Sequence, residues 1–272
     1  MSFSRISEYL DFEIGRNRTL SEKYGTEKFA LFLYSVLRMQ QSTVVVELGT
    51  GAGTTALIAA QALKDNLQGK IWTVDDGSYW REGALRRSCQ QALGYLDEEE
   101  TQMSFMRRLV TKFELGDYLV PVDTHVEPGA FFCPDEQKIN VLFADIRSGP
   151  VSCVNLLRYY LPKMASYSSI FIDRASTLYE SHLLLNYCVE QLNRGRIPLD
   201  LLRGLPHSDC VHMREFVDRS SFSIVHLTET LGSKTSAEHQ NSRAWIRIEP
   251  LDHLHHNDVE NYLCREVVRI PA

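Results

Sequence analysis

The sequence predicts an α/β chain built on one mostly parallel sheet between two helical layers. Three observations carry that prediction. From residue 43 onward, short β-branched runs alternate with helical stretches. The first run ends at a glycine-rich turn that opens a helix. The last two runs, Phe222–Leu227 and Arg243–Ile248, are joined by a polar loop with no room for a crossover helix, and so read as an antiparallel hairpin.

Taken in order, residues 5–40 read as helical, with Phe29, Leu31, Phe32, Leu33, Val36 and Leu37 near the helical period. The polar break Gln40-Gln41-Ser42 follows. Thr43-Val44-Val45-Val46-Glu47-Leu48 is too short for a helix and is bounded by glycine, as a strand buried on both faces should be. The stretch 54–63 is apolar almost all round, which suits a helix packed on a sheet. Strand two is Lys70–Asp75, followed by a helix over about 81–94. The acidic run 97–100 is expected to be a solvated helix start. Strand three is Tyr118–Val122, whose Pro121 places it at an edge or a strand start. Strand four, Ile139–Ala144, ends at Asp145. A helix over 151–163 leads to strand five, Ser169–Asp173, and another covers 177–193. The stretch 194–220 reads as an insertion over the site. The chain is thereby predicted to be a single domain, with an N-terminal helical cap (1–41), a core (43–250) and a C-terminal tail (251–272).

The bulk properties narrow the function. The 272 residues are 44% hydrophobic, enough for one sizeable core. A net charge of -6 speaks against a protein that grips nucleic acid through its phosphates. The cysteines are scattered without a CxxC pair, the first residues carry charges where a signal peptide needs an apolar stretch, and no run approaches the length of a membrane helix. A cytoplasmic protein with neither nucleic acid nor membrane as partner is expected, with a homodimer left open.

The chemistry concentrates at Glu47-Leu48-Gly49-Thr50-Gly51-Ala52-Gly53. Glycines here let backbone approach a ligand closely, and the following helix offers free N–H groups. The spacing is G-x-G-x-G. A dinucleotide fingerprint would need its third glycine at Thr54, and a pyrophosphate would be repelled by Glu47. A zwitterionic amino acid with an ammonium group would not. The segment resembles motif I of class I S-adenosylmethionine-dependent methyltransferases. The resemblance covers about residues 43–250 and implies a Rossmann-like three-layer fold with strand order 3-2-1-4-5-7-6. It implies that Glu47, Gly49, Thr50, Gly51 and Gly53 hold the methionine end of S-adenosylmethionine. It further implies that Asp75, with Asp76 beside it, takes the ribose hydroxyls, that Asp123 and Thr124 lie near the adenine, and that Asp145 stands at the cofactor–substrate junction. For Asp123 and Thr124 an ordinary turn is the alternative.

Within the class, Val-Glu-Leu-Gly-Thr, Gly-Lys-Ile-Trp-Thr-Val-Asp and Val-Leu-Phe-Ala-Asp are similar to small-molecule O-methyltransferases of the catechol and caffeoyl-CoA type. That likeness implies methyl transfer to a small-molecule acceptor, at an oxygen of a metabolite. A peptide or protein methyltransferase and a non-catalytic cofactor-binding scaffold are the alternatives. That family binds a divalent cation through an Asp after strand four and an Asp-Asn pair after strand five. The corresponding residues here are Asp145, Asp173 and Arg174, with Ser148 where the family has a lysine. Arginine cannot ligate a cation, and an ion pair suits these residues as well as a metal would; no metal is assigned. Catalysis then falls to Asp145 by position, with His125 and His182 as further base candidates. His207 and His212 lie in the 194–220 stretch, and all of these histidines can equally be surface or hydrogen-bonded groups. The cluster from Asp252 to Asp258 reads as a solvated tail. Tyr79 and Trp80 flank the adenine or pack in the core.

Overall fold

In a computed structural model, the structure describes residues 27–93, 99–126, 132–134, 137–146, 149–176, 178–229 and 241–251. Residues before 27, the tail beyond 251 with its Asp252–Asp258 cluster, and Ser148 lie outside that range. The described chain runs α1 (Glu27–Gln40), β1 (Val44–Leu48), α2 (Thr54–Asp65), β2 (Lys70–Asp75), α3 (Ser78–Arg81), α4 (Ala84–Leu93), α5 (Gln102–Lys112), β3 (Leu119–Asp123) and β4 (Ile139–Ala144). It continues with α6 (Pro150–Tyr160), β5 (Met164–Asp173), α7 (Tyr179–Asn193), α8 (Leu199–Leu202), α9 (His207–Asp218), β6 (Ser220–Glu229) and β7 (Asn241–Pro250).

The strands form one seven-stranded sheet in the order β3-β2-β1-β4-β5-β7-β6. The first five are parallel, and β7 runs antiparallel to both β5 and β6. This is the Rossmann-like order and terminal hairpin expected from the sequence. Pro121 sits in β3, which is the edge among the described strands, so its missing N–H breaks no ladder bond there.

The two-residue period of the strands sorts side chains onto two faces. Val45, Ile71, Val141, Phe143 and Phe171 pack with helices α1, α2 and α5. Val44, Val46, Leu48, Leu142, Ile170, Ile172, Ala244 and Ile246 pack with α6, α7 and α9. Every residue of β1 is buried, which explains its unbroken apolar run. In α2 the whole stretch Thr54–Leu63 is buried between the sheet and its neighbouring helices, hence its nearly uniform apolar character.

Three local expectations are corrected. The helix foreseen over about 81–94 is divided at Gly83, whose φ of 83° belongs to the left-handed region, so α3 and α4 are separate. Residues 94–98 lie outside the described range. Glu100 is no solvated helix start: its carboxylate is largely buried and takes two hydrogen bonds from Arg108 at 3.0 and 2.8 Å. Thr101 is the cap of α5, accepting from Ser104 N. The 194–220 stretch does not cover the carboxyl ends of the parallel strands. Its α9 packs on the turn Leu161–Lys163, just before β5 begins, and on β6, and Met213 and Val217 complete that apolar face. His207 and His212 go with it.

Phe171 is fully buried, stacks on Trp245 at 5.4 Å and meets Phe29 edge-on at 5.5 Å, which joins α1, β5 and β7. Phe171→Ala is expected to destabilise the fold by about 3–5 kcal/mol in equilibrium urea unfolding.

Candidate active site

Beyond the aromatic row, the sheet face shared with α1 and α2 turns polar at its carboxyl edge. In register, Thr73 lies beside Glu47, Glu47 beside Phe143, and Phe143 beside Phe171. Two residues further along the strands come Asp75, Asp145, Asp173 and, across the antiparallel pair, Arg243. Parallel strands share one carboxyl end, so their terminal acids converge there. The order reverses between β1 and β4, which opens a crevice where doubly wound sheets bind ligands.

The glycine loop is fixed between these strands. Gly49 N donates to Val74 O at 2.8 Å, and Asp145 N donates to Leu48 O at 2.8 Å. Gly49 has φ 90°, and a Cβ there would collide with the Asp145 carbonyl oxygen. Gly53, at the N-cap of α2 with φ 82°, would collide with the Met106 sulfur if it carried a side chain. A Cβ on Gly51 would meet nothing within 4 Å, so the middle of the loop faces open space.

Asp75 clasps this loop. Its Oδ2 accepts from Thr50 N at 2.9 Å, Gly51 N at 3.3 Å and Gln102 Nε2 at 3.1 Å, and its Oδ1 accepts from Gly77 N at 2.8 Å. Beneath the loop, Glu47 is 1% exposed. Its carboxyl accepts from Thr73 Oγ1, which lies 2.7 Å from Thr50 Oγ1. Burial pushes the Glu47 pKa up to about 8, against the Thr73 hydrogen bond and with help from the charges of Asp145 and Asp75.

Asp76 points outward, with His125 Nδ1 2.5 Å from its Oδ2. Burial works against its charge, but Ser78 and the His125 ring outweigh that and hold its pKa down at about 2. Asp123, in register with Asp75, is exposed, and Thr124 N donates to Asp75 O at 3.3 Å. Both therefore flank Asp75 at the sheet edge. Tyr79 is exposed, whereas Trp80 is buried against Phe105 and donates to Glu100 O, so Trp80 belongs to the core.

At the other side of the crevice, the carboxyl groups of Asp145 and Asp173 influence each other's ionisation. Burial and the neighbouring charge of Asp173 push Asp145 up to about 7, and burial raises Asp173 as well. Their protons come off as those of a pair. Asp173 lies 3.0 Å from Arg243 Nε and 3.4 Å from Arg174 Nε. Arg243 is 3% exposed, and its guanidinium sits 4.2 Å over the Phe29 ring. The ion-pair expectation thus describes this cluster, and among the described residues no metal-binding group of His, Cys, Asp or Glu is assembled.

His182 is not brought to these acids. Its ring lies 4.0 Å from that of His226, and His226 shares the α6–α7 face with Ala244 and Ile224, across the sheet from Asp173. His226 is held at both ring nitrogens, by Ser176 and Asn186, and burial lowers its pKa. Arg243, Gln102 and Thr73 were missed by the sequence reasoning. Only Thr73 carried a signal, being two residues before Asp75 on the strand beside Glu47.

No family model matches the chain, and no curated protein matches it. Among solved structures it is similar to the O-methyltransferase TomG from Streptomyces achromogenes, involved in tomaymycin synthesis and solved with SAM (12% identity, 92% of this chain and 91% of that chain, TM-score 0.46). It is also similar to an O-methyltransferase from Bacillus cereus solved with SAH (10% identity, 92% of each chain, TM-score 0.46). A third is a precorrin-6y C5,15-methyltransferase from Geobacter metallireducens (13% identity, 81% of this chain and 88% of that chain, TM-score 0.39). Likenesses this distant leave the function to the chain's own residues.

Glu47 also makes the fold sensitive to pH. Its unfolded pKa is near 4.5 and its folded pKa is about 8. The folded protein keeps a proton that the unfolded chain releases, so this contribution to stability is complete below pH 4.5 and lost as pH rises through about 8. Urea unfolding should show stability declining between those values, with a shallower decline in Glu47→Gln. Equal slopes in the two proteins would contradict a buried, protonated Glu47.

Proposed function

We propose that this chain is an S-adenosylmethionine-dependent methyltransferase acting on a small-molecule acceptor, most simply at an oxygen. What supports the reading is one arrangement: a buried acid, a G-x-G-x-G loop and the second-strand acid that clasps it, all at the strand-order reversal. The donor set fits the cofactor. The open space at Gly51 and the N-terminus of α2 would admit an amino-acid end, Glu47 would carry charge for an ammonium group once its proton leaves, and Asp75 would accept from a sugar hydroxyl. When bound, S-adenosylmethionine supplies an electrophilic methyl group on a sulfonium.

The chain's part is alignment and proton removal. Positioning supplies roughly 7–11 kcal/mol in favourable model reactions. Asp145 stands where the acceptor would lie, and its raised pKa suits a general base at neutral pH. Asp173, held by Arg243 and Arg174, keeps Asp145 in place and is poorly disposed to take a divalent cation. His125 remains on the nucleoside side with Asp76. We place the protein in the cytoplasm and read it as a single domain; the described cysteines form no disulfide with one another, and among the described residues no helix is long and apolar enough to cross a membrane.

Calorimetry with S-adenosylhomocysteine tests the cofactor. Binding is expected, and Asp75→Ala should weaken it by roughly 2–3 kcal/mol, since charge-assisted hydrogen bonds are lost. Uptake of NAD or a flavin instead would overturn the assignment. Methyl transfer should survive EDTA, and its rate should rise with pH through about 7 and collapse in Asp145→Asn. Loss with EDTA and rescue by magnesium would bring back a metal mechanism.

A further inference from the structure

Asp75 has fewer open acceptor positions than a vicinal diol requires. A carboxylate offers about two acceptor positions on each oxygen. Oδ2 already faces the N–H groups of Thr50, Gly51 and Gln102, and Oδ1 takes Gly77 N. One position on Oδ1 is left, yet the two hydroxyls of a ribose bring two donors.

The second acceptor lies alongside. Gln102, at the first turn of α5, is 2% exposed. Its Nε2 donates to Gly51 O at 2.9 Å and to Asp75 Oδ2 at 3.1 Å. Both neighbours are acceptors, which fixes that atom as the nitrogen. The other atom, Oε1, is buried without a hydrogen-bond partner. Buried acceptors in that condition are rare and call for a donor. Arg81 Nη1, which borders the same Gly77 position, donates to Asp76 O at 2.6 Å. A Cβ on Gly77 would stand 3.5 Å from Oε1, so the bare glycine leaves room in front of it.

We infer that Gln102 and Asp75 read a nucleoside ribose jointly: Gln102 Oε1 accepts from one hydroxyl, and Asp75 Oδ1 accepts from the other. This rests on the cofactor reading above. Because Nε2 also holds Gly51 O, Gln102 links the sugar to the glycine loop. It is a positioning residue, and it selects for an intact diol.

The test is calorimetry with S-adenosylhomocysteine and its 2′-deoxy and 3′-deoxy analogues. The proteins are the unaltered chain, Gln102→Met, which has a similar shape and no amide, and Gln102→Glu, which keeps an oxygen acceptor and loses the donor. Removing the hydroxyl that Gln102 reads should cost the unaltered protein about tenfold in affinity, the worth of one hydrogen bond. The same removal should cost Gln102→Met nothing further. Gln102→Glu should still discriminate against that analogue, and it carries the test alone if the methionine variant does not fold. Equal losses for both analogues in Gln102→Met and the unaltered protein, or loss of discrimination in Gln102→Glu, would overturn the inference while the cofactor reading stands. No binding of S-adenosylhomocysteine to the unaltered protein is a separate result, and it overturns both.

Discussion

The contact between the Gly49 backbone and the Asp145 carbonyl is the constraint on which the site rests. Any side chain at Gly49 would displace β4 from β1. With none, the two strands stay paired to their last residues, and Asp145 N continues the ladder onto Leu48 O. That close approach sets the glycine loop and Asp145 on either side of the same crevice. It also explains why the loop is rigidly held at its ends and open in the middle, at Gly51.

Electrostatics divides the crevice into two halves. On the side of β2, Asp75 and Asp76 are surrounded by N–H donors and the His125 ring. On the other side, Asp145 and Asp173 are crowded and largely buried, so the pair holds protons more tightly than free carboxylates do. Arg243 keeps this crowding tolerable. A buried carboxylate without a counter-charge would be costly, and the cation over the Phe29 ring supplies that charge from inside the core.

Much of this was legible in the sequence because it is encoded locally. The alternation of β-branched runs and helices gave the parallel sheet, Pro121 marked an edge strand, and Gly49, Gly51 and Gly53 marked the loop. Arg243 was not legible, because its partner Asp173 is set by the register of β7 on β5, far apart in sequence. Gln102 reads locally as an ordinary polar residue opening a helix, and only the fold brings it to Gly51 and Asp75. The 194–220 stretch misled for a related reason: its apolar residues Leu201, Met213 and Val217 show that it packs, but not against which end of the sheet. His182 was similar, since helix α7 follows β5 directly yet lies on the far face.

The placement of β7 between β5 and β6 bears on how the protein matures. The last of the described strands is interior to the sheet, and among the described strands β6 pairs with β7 alone. During synthesis the first five strands can assemble early, whereas Asp173 must wait for β7 to deliver Arg243. Until then Asp145 and Asp173 stand without the buried guanidinium. Closure of the sheet and electrical completion of the crevice are therefore one late event, and a nascent chain interrupted before residue 243 has the glycine loop but leaves Asp173 without its buried counter-charge.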